Sequence, residues 1–336
     1  SRYAVEISKY KNFPLYELNI NSKDFVDHIQ KIIYHMDYPE AGPGLFAQYI
    51  ISELAAKHRK VVLGGQGGDE IFGGYTRYLI AYFEQCIKAA IDGTMNNGNF
   101  IVTYESIIPN LSSLQKYKPL LKQFWSKGLF DEVDKRYFDL INRAPRLGDE
   151  INWEYIQNYN PYETFREIFY ASNVKKESYF DSMTHFDFKT LLPALLHVED
   201  RMSMAHGLES RVPLLDHPLI EFSATIPSNI KFKNGELKYS LKKALGNVLP
   251  KNVLNRKDKM GFPVPLNLWL KNELNTFVRD IFSTQKAKNR ELINNQLVLE
   301  KIESEGSFGR NIWGLLCLEL WQSEFHDKEA YFKSLV

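Results

Sequence analysis

Six glycines fall within eleven residues, Gly64-Gly65-Gln66-Gly67-Gly68-Asp69-Glu70-Ile71-Phe72-Gly73-Gly74, directly after the apolar run Val61-Val62-Leu63. A short β-branched run, a glycine-rich turn, and then Ile71, Leu79, Ile80 and Tyr82 predict a buried parallel strand, a loop and a helix packed back on the sheet. Glycine lets such a loop take positive φ and bring its N–H groups close to a ligand, and a helix start favours an anion. A bare phosphate needs only those donors. Asp69 and Glu70 suit a phosphate that carries a hard cation, because magnesium takes oxygen ligands. The loop therefore points to a metal–nucleotide site. The alternative is a tight turn whose acidic residues stabilise a first helical turn. The loop has neither the Gly-Lys-Ser/Thr ending of a Walker loop nor a third glycine at the dinucleotide spacing.

Two further segments carry chemistry. Residues 199–216 begin Glu199-Asp200-Arg201-Met202-Ser203-Met204 and end Arg211-Val212-Pro213-Leu214-Leu215-Asp216; residues 256–265 read Arg256-Lys257-Asp258-Lys259-Met260-Gly261-Phe262-Pro263-Val264-Pro265. In that order, the three segments resemble the synthetase domain of the glutamine-dependent asparagine synthetase family, a group of ATP pyrophosphatases. The resemblance spans nearly the whole chain and is weakest between about residues 95 and 180.

The resemblance implies an α/β fold, with a partial Rossmann-like parallel sheet (adenine nucleotide α-hydrolase-like) over residues 1–95 and a large, mostly helical region over 96–336. The two would form one asparagine synthase-type domain lacking its first strands. It also implies a reaction. ATP activates a carboxylate, that of aspartate in the first instance, as an acyl-adenylate; pyrophosphate leaves; ammonia from a glutaminase domain outside this chain then forms the amide. Residue by residue, Gly64, Gly65, Gln66, Gly67 and Gly68 would bind the pyrophosphate and Asp69 would hold Mg2+. Lys259, in a Lys-x-x-Phe pattern, would meet the phosphates, a suitable task for a compact charge that follows charge movement. Tyr75 would lie near the nucleotide, helix packing being its alternative role. Asp200 and Arg201 are candidate pocket residues. Arg201, Glu209, Arg211 and Asp216 are expected to form bracing ion pairs, and His206 to be structural.

The chain departs from the family at several points. Gly64 and Gln66 replace the usual serine and acid of the loop. Gln66 cannot act as a base and is expected only to orient the adenylate, so that glutamate should be tolerated there. Gly42-Pro43-Gly44-Leu45 stands where the family has a Thr-Thr-Ile-Arg type of stretch, which leaves the acceptor open among amino-acid, sugar-acid and peptide carboxylates. No Ser-Gly-Gly-x-Asp-Ser loop and no terminal cysteine nucleophile is present. The chain is accordingly read as starting mid-protein, and by itself it is expected to be inactive. An unpaired sheet edge would then favour association, for instance as a homodimer. The competing readings are a relative acting on another carboxylate and a catalytically silent homologue that binds a partner.

Composition sets the bounds. With 336 residues, 44% hydrophobic and 14% aromatic, the chain can bury a large core. Lys+Arg 42 against Asp+Glu 41 leaves +1, so no global field draws nucleic acid or an anionic membrane. Cys86 and Cys317 cannot make a disulfide framework and suit a reducing cytoplasm. The elements that must position the loop follow from periodicity. Residues 15–20 are a candidate strand. Ser22 is the expected N-cap of a helix carrying Phe25, Ile29, Ile32, Ile33 and Met36, and Phe46, Ile50 and Leu54 mark the next helix. Beyond Gly98 the pattern is helical, and its aromatic runs, among them Tyr137, Tyr155, Tyr159, Phe165 and Phe169, are read as helical core or a helix-packing surface.

Overall fold

Asn21, not Ser22, starts the second helix. Its side chain accepts from the Lys23 and Asp24 backbone N–H groups, and Asp24 returns the bond to the Asn21 N–H, a full capping box. The helix spans Ser22–Met36, with Phe25, Ile29, Ile32, Ile33 and Met36 buried, as the spacing requires. In this computed structural model the described residues are 2–40, 42–93, 118–126, 128, 131–174, 178–256, 264–302 and 310–335.

Chain order up to the glycine loop is α1 (Arg2–Lys11), α2 (Ser22–Met36), α3 (Gly44–Ala56), β1 (Val61–Leu63), α4 (Gly68–Phe72) and α5 (Thr76–Asp92). The expected strand over residues 15–20 is irregular instead. Leu15, Tyr16 and Leu18 are exposed there, and a lone extended segment without a ladder partner has nothing to hold it as sheet.

Among the described residues the sheet is one parallel pair. β1 pairs with β2 (Glu209–Arg211) in the register Val61↔Glu209, Val62↔Ser210 and Leu63↔Arg211. The second strand thus comes from the segment read above as a source of ion pairs. The expected burial of β1 is also corrected, since Leu63 is 73% exposed. Val61, at the other end of β1, is exposed as well.

Two cores flank this pair. The first joins α2 and α3 to the C-terminal helices, among them Asn311–Trp321 with Trp313 and Leu316 buried. The second joins α5 to the helices Val133–Ile141, Pro161–Phe169 and Tyr179–Lys189. Tyr137, Phe165 and Phe169 are buried in it, whereas Tyr155 and Tyr159 of the same aromatic run are exposed, so the run is core only in part. Within it Arg136 makes two 2.7 Å bonds to the Glu84 carboxylate, both side chains being almost fully buried. The helix Leu191–Met204 packs on α2, α3 and β2, and so brings the second motif to the end of β1.

Candidate active site around the glycine loop

The ladder continues one residue past β1, with Gly64 N–H donating to the Arg211 carbonyl at 2.7 Å. The chain then turns at Gly67, whose φ of +89° is strained for any L side chain. A Cβ there would also lie 2.3 Å from Leu215 Cδ2, so the 199–216 motif packs directly against the turn. Gly67 caps α4, a single short helix that ends at Gly73 with φ +67°. The strand–turn–helix order read from the glycines is therefore present.

Asp69 lies in the first turn of α4. Its Oδ1 is 3.1 Å from Lys238 Nζ, and both side chains lie over the backbone of Gly74. A Cβ on Gly74 would be 1.9 Å from Asp69 Oδ1 and 2.2 Å from Lys238 Cε. Lys238 itself has φ +57°, an uncommon left-handed conformation for a lysine. Its backbone N–H reaches the Gly73 carbonyl at 3.4 Å. Lys238 was not singled out by sequence reasoning. It stands among Lys231, Lys233, Lys242 and Lys243, and nothing local distinguishes it.

Tyr75 caps α5, and its hydroxyl donates to the Glu70 carboxylate. Burial first, and then the negative charge of Glu70, push the Tyr75 hydroxyl far above its usual pKa, which keeps it protonated as a donor. The Arg77 guanidinium covers the Tyr75 ring at 3.8 Å and pairs with Asp187 at 2.5 Å. Tyr78 and Tyr137 also donate to Asp187. Tyr75 is thus wired to both the glycine turn and the aromatic core.

Gln66 points the other way, toward the helix Leu191–Met204. Its Nε2 donates to Glu199 Oε2 at 3.3 Å, as does the Gln48 side chain, and Ser210 Oγ donates to Glu199 Oε1 at 2.5 Å. Glu199 heads the second motif, but no role was read for it. Its convergence with α3, β2 and the loop is a purely tertiary fact.

The other motif residues are more peripheral. Arg201 pairs at 2.9 Å with Asp37 on the surface, and Arg211 pairs at 2.8 Å with Glu209, two residues away; exposed pairs of this kind contribute little. Asp200 is exposed. The His206 ring packs at a tilt against Tyr49, with centroids 4.3 Å apart, which suits a structural role. Met202 and Leu208 are buried core. Lys259 belongs to residues 257–263, which lie outside the described residues.

The residues fit a magnesium that arrives with phosphate better than one held by protein alone. Among the described residues no group of three His, Cys, Asp or Glu side chains could cage a metal. Asp69, paired with Lys238 beside the glycine turn, is the carboxylate that would share Mg2+ with substrate phosphates. Glu70 is already engaged by Tyr75.

Fold and site define a mostly helical α/β protein with a glycine turn set between a parallel strand and a helix. The chain belongs to the asparagine synthase family, whose model matches residues 1–323. It is 31% identical over 311 residues to asparagine synthetase (glutamine-hydrolyzing) 1 of Bacillus subtilis, a match covering 90% of this chain and 46% of that protein. It is 27% identical over 296 residues to asparagine synthetase (glutamine-hydrolyzing) 3 of the same organism, covering 88% and 41%. A shorter stretch of 60 residues is 43% identical to asparagine synthetase (glutamine-hydrolyzing) of Gallus gallus, covering 17% of this chain and 11% of that protein. The chain therefore spans about half the length of the two Bacillus subtilis relatives. Among the described residues no helix is long and apolar enough to cross a membrane.

Proposed function

We propose that this chain is the synthetase portion of an ATP-dependent amide-forming ligase, most simply an asparagine synthase with aspartate as acceptor. The observation that carries the reading is the Asp69–Lys238 pair, laid over Gly74 at the exit of the glycine turn. A carboxylate and an ammonium beside the glycine turn would supply what an ATP pyrophosphatase needs: a place for a divalent cation and a cation for the departing phosphates. Family membership and the names of the relatives support the same reading.

In the proposed reaction the acceptor carboxylate attacks the α-phosphorus of ATP and the α–β P–O bond breaks, releasing pyrophosphate. Ammonia then attacks the acyl carbon, AMP leaves, and the nitrogen loses a proton. Backbone N–H groups of residues 65–68 bind the phosphates; the expected Gly64 contact is withdrawn, because its N–H is held in the ladder by the Arg211 carbonyl. Lys238 leaves Asp69 and follows the charge that builds on the bridging oxygen, with Lys259 as a second phosphate contact. Asp69 would hold Mg2+, which when bound would supply charge stabilisation to the phosphates. Tyr75 and Arg77 hold α4 in register with the core. The proposal extends to a Rossmann-like nucleotide fold, to ammonia drawn from a glutaminase domain, and to a cytoplasmic setting, which two buried free cysteines suit.

The test is carboxylate-dependent exchange of labelled pyrophosphate into ATP, measured in the full-length parent protein with aspartate and a panel of other carboxylic acids. Exchange with aspartate supports asparagine synthase. Exchange only with another acid moves the acceptor, and nucleotide binding without exchange on any acid favours the silent homologue.

A further inference from the structure

Glu199 lies on the helix Leu191–Met204, yet its carboxylate serves the turn after β1. Donors from three elements converge on it: Gln48 from α3 and Gln66 from the loop on Oε2, and Ser210 from β2 on Oε1. The backbone of Gly64 completes the seat, since a Cβ there would lie 3.0 Å from Glu199 Oε1 and 3.4 Å from Ser210 Oγ. The residues that give this loop its composition, Gly64 and Gln66, are thus those that touch Glu199.

A carboxylate only accepts hydrogen bonds, so the Gln66 amide must turn its NH2 toward Glu199. Its carbonyl oxygen Oε1 then faces away from Glu199, and among the described residues no donor meets it. A free glutamine would present either end to a ligand. Bound to Glu199, it presents an acceptor.

We propose that Glu199 is a positioning residue for the amide-forming step, and that through Gln66 it equips the loop to receive an N–H donor, the incoming ammonia. The inference rests on the amide-ligase reading above. One ammonia N–H donates to Gln66 Oε1, which aims the nitrogen lone pair at the acyl carbon. The C–N bond forms, the acyl C–O bond breaks with its electron pair leaving on AMP, and the surplus proton passes to water. The site's one carboxylate at this place therefore sits on the helix, with the loop as its donor. This revises the expectation that glutamate at position 66 is tolerated. Alone, Gln66→Glu would set two carboxylates about 3 Å apart, and one of them must move or take up a proton. Exchanging the pair, Gln66→Glu with Glu199→Gln, keeps a single negative charge.

The experiment uses the full-length parent protein, with free ammonia as nitrogen donor. It compares amide formation with ATP–pyrophosphate exchange, which does not involve ammonia. In Glu199→Gln the KM for ammonia should rise about tenfold, the scale of one hydrogen bond's direction, and the ammonia step should fall at least several-fold more than exchange. Gln66→Glu should lose more than about tenfold in amide formation, and Gln66→Glu/Glu199→Gln should recover most of it. Equal losses in exchange and ammonia use, or a fully active Gln66→Glu with no benefit from the second change, would overturn the role of Glu199. Absence of exchange in the unmodified protein would overturn the ligase reading, and this proposal with it.

Discussion

Lys238 Nζ stands 3.1 Å from Asp69 Oδ1, and the two side chains share the backbone of Gly74 as their support. The contact joins residues far apart in sequence at the start of α4. The side chains are 32% accessible for Lys238 and 23% for Asp69, although Asp69 Oδ1 itself is buried, and a partly exposed pair of this kind adds little to stability.

Asp69→Asn and Lys238→Ala should each lower pyrophosphate exchange by about 100-fold or more, the scale on which removal of transition-state charge stabilisation acts. Stability in urea should change by less than about 1 kcal/mol, because an accessible ion pair contributes at most that much. Lys238→Gly sharpens the test. It removes the amine and also relieves the φ +57° conformation, so it should be inactive yet no less stable than the parent. Near-normal exchange in all three variants would mean that the pair has no catalytic task.

Gly67→Ala should destabilise the protein by about 1–3 kcal/mol, from positive φ together with the collision at Leu215. Adding Leu215→Ala removes the collision alone. The double variant should regain part of the loss and no more, as read from urea midpoints at constant slope.

Glu84→Gln should cost about 3–5 kcal/mol, since it leaves the buried Arg136 guanidinium without its charge partner. Replacing both residues by apolar ones of similar volume should be milder than the single change. Thermal melts of the three variants decide the order, and a harmless Glu84→Gln would show that the pair is not needed in the second core.

Burial lowers the pKa of His35, His185 and His206 below the usual 6.5. Their neutral forms are favoured in the fold, and the unfolded chain binds protons first. These histidines thus support stability above about pH 6.5, and that support falls away as pH drops from 6.5 through the depressed folded values. Urea midpoints should decline in that window, and His206→Asn should flatten the decline. A profile unchanged by the substitution would assign the acid sensitivity to other groups.

Local signals in the chain were enough to define α2, α3, the glycine turn and the terminal helix Asn311–Trp321. Caps act on N–H groups two or three residues away, helical faces repeat every three or four residues, and glycine tolerates positive φ wherever it stands. These are short-range causes, so periodicity and composition carry them. The candidate strand over residues 15–20 failed for the complementary reason, because a strand exists only if another strand receives its hydrogen bonds. β1 found that partner in residues 209–211, brought alongside by the helix Leu191–Met204. Lys238 at Asp69 and Glu199 at Gln66 were invisible for the same reason. Their roles depend on which distant backbones are packed together, and an isolated lysine or glutamate in a polar stretch has no periodicity to announce it. The chain alone determined that a phosphate-type turn would form and which residues would bury; only the tertiary structure decided which charges face that turn.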